Sequence, residues 1–304
     1  MHNSWIVDER NYFSRLDKFL RHELKHVPLS AIYKFIRTGK VFINKKRIRN
    51  ASAKLEIGDI VEIVGEDLTK YSRDYTELKP VSMKLDIIFE DARLLVINKP
   101  TGLSVHPGKN VSRPSLIEGL MYYAQKNGFE AFLVHRLDKE TSGVLIVAKD
   151  RNTARVLGEL ISSRFVVKKY LALVFGKIHV PRRIEEPIDG QEALTKVVPL
   201  KQFHWNVNGY EHTLTLLDVE IETGRKHQIR KHLSKIGTPI VCDNEYGNFQ
   251  LNRLFSKHFG LKRQFLHCKL LGFELDGKRY EFEAPLPGDL STVLEILTSG
   301  RGLR

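Results

Sequence analysis

Apolar residues recur along this chain with two periods, and the change from one to the other marks out its elements. In "RLDKFLRHELKHV" they fall at Leu16, Phe19, Leu20 and Leu24, the i, i+3, i+4, i+8 spacing of one buried helix face. Pro28 breaks that pattern, and Ser30 reads as the N-cap of a second helix over "AIYKFIRTG". Ile32, Phe35 and Ile36 make its apolar face, Lys34 and Arg37 point elsewhere, and Gly39 supplies the stop. "KVFINKKRI" alternates like a strand running into a turn, placed at Lys45–Arg49, and "IGDIVEIV" reads as another strand. Residues 66–84 are polar, mixed in charge and carry Pro80, as a linker does.

From about Leu85 the period shortens. Strand-like runs ("LDIIF", "LLVIN", "GVLIVAK", "KYLALVFG", "TLTLLDVEI", "FLHCKLLGFEL", "YEFEA") outnumber helical ones ("SLIEGLMYYAQKN", "NTARVLGELISSRF", "RKHQIRKHLSKI"). The order is not a regular βαβα alternation, and neither GxGxxG nor a Walker A sequence occurs. The pattern predicts an α+β fold with a largely antiparallel central sheet flanked by helices rather than a doubly wound nucleotide fold. Domains are expected at 1–75 and 85–304, joined by a linker at 76–84. No stretch approaches the ~18 apolar residues of a membrane span, and the acids among the first twenty residues argue against a signal peptide. A soluble, cytoplasmic chain is expected.

Charge narrows the choice of partner. Among 304 residues, 49 Lys and Arg face 36 Asp and Glu, a net +13, with a pI near 9.6. Such an excess fits a polyanion. It is concentrated, too: Lys25 to Lys54 holds nine Lys or Arg and no acid, whereas a merely solvated surface mixes both signs. The two cysteines, Cys242 and Cys268, form no CxxC and can make neither a metal site alone nor a disulfide framework.

Three stretches carry candidate chemistry. "HRLDKETSG" (135–143) sets Asp138 among cations before an apolar strand, with Thr141-Ser142-Gly143 read as turn chemistry. Asp138 can be a turn anchor through its own backbone, or a reactive carboxylate held by a cation. "GRKHQIRKHL" offers that cation on a short helix, where His227, Arg230 and Lys231 share a face by spacing. "INKPTGLSVHPG" (97–108) has two Pro and two Gly, which force an irregular loop after a strand.

The N-terminal part, through Arg15-Leu16-Asp17, the helix from Ser30, "GKVFINKKRI" and "IGDIVEI", resembles the S4 RNA-binding domain. That resemblance implies RNA contacts by Lys34, Arg37, Lys40, Lys45, Lys46, Arg47 and Arg49. Further on, "NKPTGLSVHPG", "HRLDKETSG", "KKYLALVFG", "GRKHQIRKHL" and "GTPIVCDNEYG", in this order and closing on "FEAPLP", resemble the RluA family of pseudouridine synthases. With the S4 part and "GLKRQFLH" the likeness is to the RluC-like branch, which acts on large-subunit ribosomal RNA. The resemblance implies that Asp138 is the catalytic aspartate and that Arg230 ion-pairs with it. It implies also that Tyr170 stacks on the flipped uracil and that Arg136 fills the gap left in the RNA stack. His135, Lys226 and His227 are expected to touch RNA. Two positions depart from the family pattern: Lys226, where Thr is usual, and Cys242, where Gly is common.

An isomerisation that moves uracil from N1 to C5 attachment oxidises nothing and carries no group, so no cofactor and no metal are expected. The expected partner is RNA, 23S ribosomal RNA or its assembly intermediates, bound by a monomer without a membrane. Three rivals remain: a synthase of the same family acting on tRNA, a non-catalytic RNA-binding protein with a decayed synthase domain, and a glycosylase that releases uracil. Decay would be expected to strike Asp138 early, and the HRLD, Tyr170 and Arg230 set is intact.

Overall fold

The structure, a computed structural model, describes residues 2–9, 11–24, 27–68, 78–107 and 114–300. Part of the 66–84 linker and Gly108 of the 97–108 loop lie outside the described residues. The chain divides into two compact units, Met1–Leu78 and Lys79–Arg304.

In the first unit β1 (His2–Ile6) precedes the helices α1 (Leu16–Glu23) and α2 (Leu29–Arg37), which are followed by β2 (Val41–Ile43), β3 (Lys46–Ile48) and β4 (Ile60–Val64). The strands form one antiparallel sheet in the order β1-β4-β2-β3. Leu16, Phe19, Leu20, Ile32, Phe35 and Ile36 from the two helices are buried with Val41, Val61 and Ile63 in a single core, as the helical spacing requires.

Two local expectations need correction. The cap of α2 is Pro28, not Ser30, which sits inside the first turn. The proline ring holds φ at −56°, and its carbonyl already accepts from Ala31 N and Ile32 N at 2.8 and 3.1 Å. The turn read at Lys45–Arg49 is shorter: only Asn44 and Lys45 form it, both with positive φ (49° and 66°), as in a two-residue hairpin. Residues 46–48 are already β3. Strand β1 was not legible, since "HNSWI" has no clear alternation.

The second unit runs β5 (Ile87–Glu90), β6 (Leu94–Lys99), α3 (Leu116–Asn127), β7 (Phe132–Leu133), β8 (Ser142–Ala148), α4 (Arg151–Ser162), β9 (Val167–Phe175), β10 (Arg182–Ile184), β11 (Thr195–Val207), β12 (Tyr210–Ile221), α5 (Gln228–Lys235), α6 (Phe249–Phe259), β13 (Leu266–Leu275), β14 (Lys278–Glu283) and α7 (Gly288–Ser299). Its ten-stranded sheet follows the order β10-β11-β12-β9-β13-β8-β6-β5, with β14 beside β13 and β7 beside β8. Among the described residues only β13 and β8 pair in parallel. The fold is thus the expected α+β arrangement with a mostly antiparallel sheet. Among the described residues no helix is long and apolar enough to cross a membrane.

Ser142 and Gly143 belong to β8 rather than to a turn. The turn lies one step earlier, closed by Thr141 N donating to Asp138 O at 3.1 Å. Gly143 stands between Lys99 of β6 and Cys268 of β13 with φ 120°, and a Cβ there would lie 2.1 Å from the Cys268 carbonyl oxygen. Only glycine allows the two strands this approach.

Candidate active site

Asp138 begins the turn that precedes β8, and that turn is held from several sides. Three of its backbone carbonyls are claimed: Asp138 O by Thr141 N, Lys139 O by Lys99 Nζ at 3.1 Å, and Glu140 O by Thr101 Oγ1 and Arg263 Nη1, both at 3.2 Å. Gln264 Nε2 donates to Thr141 Oγ1 at 2.7 Å. Lys99 is wholly buried, and its ammonium also donates to Pro100 O and Leu103 O at 2.8 and 2.9 Å. Burial pushes that amine down to about 7, while three carbonyls match the three donors of its protonated form.

Because the backbone closes the turn, the Asp138 carboxylate is free to face outward. Among the described residues it accepts from Arg230 Nη1 at 3.4 Å and lies 3.8 Å from His227 Nε2. Among the described residues no backbone N–H donates to it, so Asp138 anchors the turn through its backbone carbonyl while its side chain is left to Arg230 and His227. Arg230 projects from α5 and is fixed from behind. Its Nε and Nη2 donate to the two oxygens of Asp243 at 2.7 and 2.8 Å, a bidentate pair. Asp243 is completely buried and accepts also from Glu245 N and Tyr246 N. Burial alone would lower Arg230 and raise Asp243; their mutual hydrogen bonds reverse both, so Arg230 is raised and Asp243 lowered. The Arg230 guanidinium also lies 5.0 Å from the Tyr246 ring centre.

The start of α5 is built for this placement. Buried Gln228 accepts from Thr223 Oγ1 and Arg225 N and donates to Leu194 O and Thr195 Oγ1. All four of its bonding positions are used, which ties the helix to β11. His227 is the cap residue, in the left-handed region at φ 56°, not a member of the helix. Its Nδ1 meets Tyr246 Oη at 3.1 Å and Glu245 Oε2 at 3.3 Å. Burial lowers its pKa, with the Arg230 charge adding to the effect and Asp138 opposing it. Lys231, expected on the same face, turns away to Asp189.

A pocket of about 240 Å³ opens beside these groups, larger than the ~150 Å³ that holds a benzene ring. Leu137, Ile221, Ile229 and Leu266 supply apolar wall, with Tyr170 from β9. Asp138 is the one carboxylate among its described lining residues, and Arg136, Arg225, Lys226, His227 and Arg230 bring positive or titratable nitrogen. Tyr170 is 6% exposed, and burial, reinforced by the adjoining Cys268, raises its hydroxyl well above the usual phenol range. Arg136 and Lys226 are exposed at the rim.

His135 is not brought to this pocket. The chain bends at this residue, and the ring turns inward to accept from Ile146 N at 2.9 Å. Burial, with Lys168 adding to it, pushes it down to about 3, so it is neutral and structural; the RNA contact expected of it is withdrawn. Cys242 is left-handed at φ 58°, the conformation that glycine adopts most readily. Its N–H donates to Asn252 Oδ1 at 2.8 Å, so the turn survives the departure. Asp243, Gln228 and Lys99 were missed as site-building residues, although all three stand inside the motifs singled out.

In the first unit Lys34, Arg37 and Arg49 line a groove of about 250 Å³ with Tyr33. Lys45, Lys46 and Arg47 are exposed on the β2–β3 hairpin, with Arg47 over the Phe42 ring at 5.5 Å. Lys40 differs from these: its ammonium is bonded to Glu66, so its charge is already matched. No group of three or more His, Cys, Asp or Glu among the described residues is arranged to hold a metal.

Residues 93–235 match the family described as RNA pseudouridylate synthase, and residues 14–61 match the S4 domain. A protein of Buchnera aphidicola subsp. Baizongia pistaciae named "Ribosomal large subunit pseudouridine synthase C" is 36% identical over 96% of this chain and 96% of its own length. The protein of that name from Escherichia coli (strain K12) is 37% identical over 94% of each chain. Among solved structures, that of "Human RNA Pseudouridylate Synthase Domain Containing 4" superimposes with a TM-score of 0.54 at 27% identity, covering 70% of this chain and 93% of its own.

Proposed function

This chain belongs to the RNA pseudouridylate synthase family, and from that membership we propose that it isomerises uridines of large-subunit ribosomal RNA, as the names of its full-length relatives say of them. The division of labour we assign is RNA capture by the S4-like part, residues 1–75, and chemistry by residues 85–304, joined by 76–84. The observation that carries the reading is a single carboxylate, Asp138, set at the mouth of an apolar pocket against an arginine that Asp243 holds in place.

The reaction breaks the bond from uracil N1 to sugar C1′, turns the base within the pocket and joins C5 to C1′. N1 gains a proton and C5 loses one, so the product is an isomer and no co-reactant is consumed. C1′ acquires oxocarbenium character as its bond to N1 weakens, which suits a carboxylate beside the sugar. Glycosidases add a second carboxylate to handle water; Asp138 is alone among the pocket's described lining residues, as fits a base that is kept rather than released. Extruding the uridine costs a few kcal/mol. Stacking on Tyr170 returns about 1–3 kcal/mol, and the planar guanidinium of Arg136 is suited to the vacancy in the RNA stack.

Two measurements test this. Pseudouridine is mapped in total RNA from cells with and without the gene; loss at defined large-subunit positions is expected, and loss confined to tRNA would move the substrate while keeping the chemistry. The variant Asp138→Asn keeps the shape of the side chain and removes its charge. It is expected to bind RNA normally and to lose isomerisation by roughly 10⁴-fold or more, the scale for deleting one member of a catalytic unit. Substantial activity in that variant defeats the role given to Asp138.

A further inference from the structure

Residues 246 to 273 contain five Lys or Arg and not one Asp or Glu, a second one-sign stretch, of which the site described above uses Arg263 but not Arg253, Lys257, Lys262 or Lys269. Two of these cations are engaged internally, Arg263 with Asp289 and Lys269 with Asp218. Arg253, Lys257 and Lys262 are exposed and make no ion pair among the described residues.

Helix α6 orders the stretch. Its inner face buries Asn252, Phe255 and Phe259, with Phe255 and Phe259 at 5.2 and 5.9 Å from the Trp205 ring. Its outer face carries Phe249, Arg253 and Lys257 at i, i+4 and i+8, one stripe with a rise of about 6 Å per step. Phe249 is 62% exposed, an aromatic ring left in water at the head of two unpaired cations. The helix is tied to the site by the same Asn252, whose amide donates to Asp243 O and accepts from Cys242 N at 2.8 Å each. Phe249 follows Tyr246, which touches His227 and Arg230, by three residues, so their Cα atoms are at most about 11 Å apart.

We propose that this stripe is a track for the RNA strand flanking the flipped uridine, with Phe249 stacking on an unpaired base and Arg253 and Lys257 neutralising successive phosphates. The proposal rests on the pseudouridine synthase reading. An aromatic face beside aligned cations is the makeup of surfaces that hold single-stranded nucleic acid. A membrane would need a broader apolar face than one phenylalanine.

The test compares Phe249→Ala, the double variant Arg253→Ala with Lys257→Ala, and a control double variant, Lys278→Ala with Arg279→Ala, at the β13–β14 turn. Thermal unfolding first establishes that each folds. Affinity for the ribosomal RNA fragment bearing the mapped uridine is then measured across a salt series, and isomerisation is followed in the same samples. For the stripe double variant the slope of log affinity against log salt is expected to shrink by about 1.4, which is ~0.7 for each phosphate contact on a single strand. Phe249→Ala is expected to bind about 5- to 100-fold more weakly, with turnover at saturating RNA nearly unchanged. Both effects should vanish on a fragment trimmed to the uridine and its immediate neighbours. Unchanged slope and affinity, or an equal change in the control, overturns the track while leaving the enzymatic reading intact. Absence of isomerisation by the unsubstituted chain overturns that reading, and the track with it.

Discussion

Arg230 has two of its nitrogens on Asp243 at 2.7 and 2.8 Å, which leaves Nη1 to reach Asp138. Exchanging Asp243 for Asn keeps the outline of the side chain but leaves a buried guanidinium short of its closest partner, with Glu245 at 3.3 Å and Asp138 at 3.4 Å remaining. Stability is expected to fall by roughly 3 kcal/mol, and kcat by about 10²-fold as Asp138 loses its fixed neighbour, read by urea unfolding and by single-turnover isomerisation. The pH dependence follows from the lowered Asp243 pKa. A depressed carboxylate contributes stability that is fully present above its unfolded value of ~3.9 and is lost as pH falls through the folded value. Asp243→Asn should therefore unfold with a shallower acid limb below about pH 4; an unchanged limb would place the pairing energy elsewhere. Asp138 and Arg230 could be picked out because motif and resemblance coincided on them. Asp243 could not: the bond to Arg230 spans 13 residues and a bend, and a buried aspartate in "PIVCDNEYG" looks like ordinary turn chemistry until its partner is seen.

Elements with clean periodicity were legible, and those whose sequence is bent to another purpose were not. Strand β8 shows seven consecutive buried residues, the signature of a strand covered on both faces. Strand β11 is longer, at 13 residues, yet was overlooked. Pro199 and Lys201 interrupt its alternation, and the sheet absorbs them by a register shift between those two positions. Helix α6 escaped notice because one of its inward positions is Asn252, whose amide serves backbone groups of the neighbouring bend rather than an apolar core. At this scale Gly143 is the most exacting position. Gly143→Ala would drive a methyl group into the Cys268 carbonyl where β8 and β13 pair, at a φ that non-glycine residues avoid. A loss of more than about 4 kcal/mol, or failure to obtain soluble protein, is expected. A variant within 1 kcal/mol of the parent in denaturant unfolding would show that the two strands can part without consequence.

For the whole molecule, charge and chain order matter more than any one contact. Six cations of the first unit, Lys34, Arg37, Lys45, Lys46, Arg47 and Arg49, are exposed, and each phosphate they neutralise adds ~0.7–0.9 to the salt slope. Removing residues 1–78 should flatten that slope by about 2–3 if half of them make contact, while a short substrate is still isomerised. A slope that does not move would return these residues to the status of a solvated face. Chain order bears on the sheet differently. Strand β13 lies between β9 and β8 yet follows β9 by 100 residues, counting from Phe175 to Leu275. On a ribosome adding ~5–20 residues per second, that interval lasts about 5–20 s. During it β8 and β9 both present open edges, the kind of template on which unfinished chains pair wrongly. The same interval leaves the Asp138 turn without Arg263 and Gln264, which lie 123 residues downstream of their partners. Birth order thus acts as a safety catch: the turn that carries the aspartate gains these two ties only once the chain has been synthesised up to the start of the strand that closes the sheet.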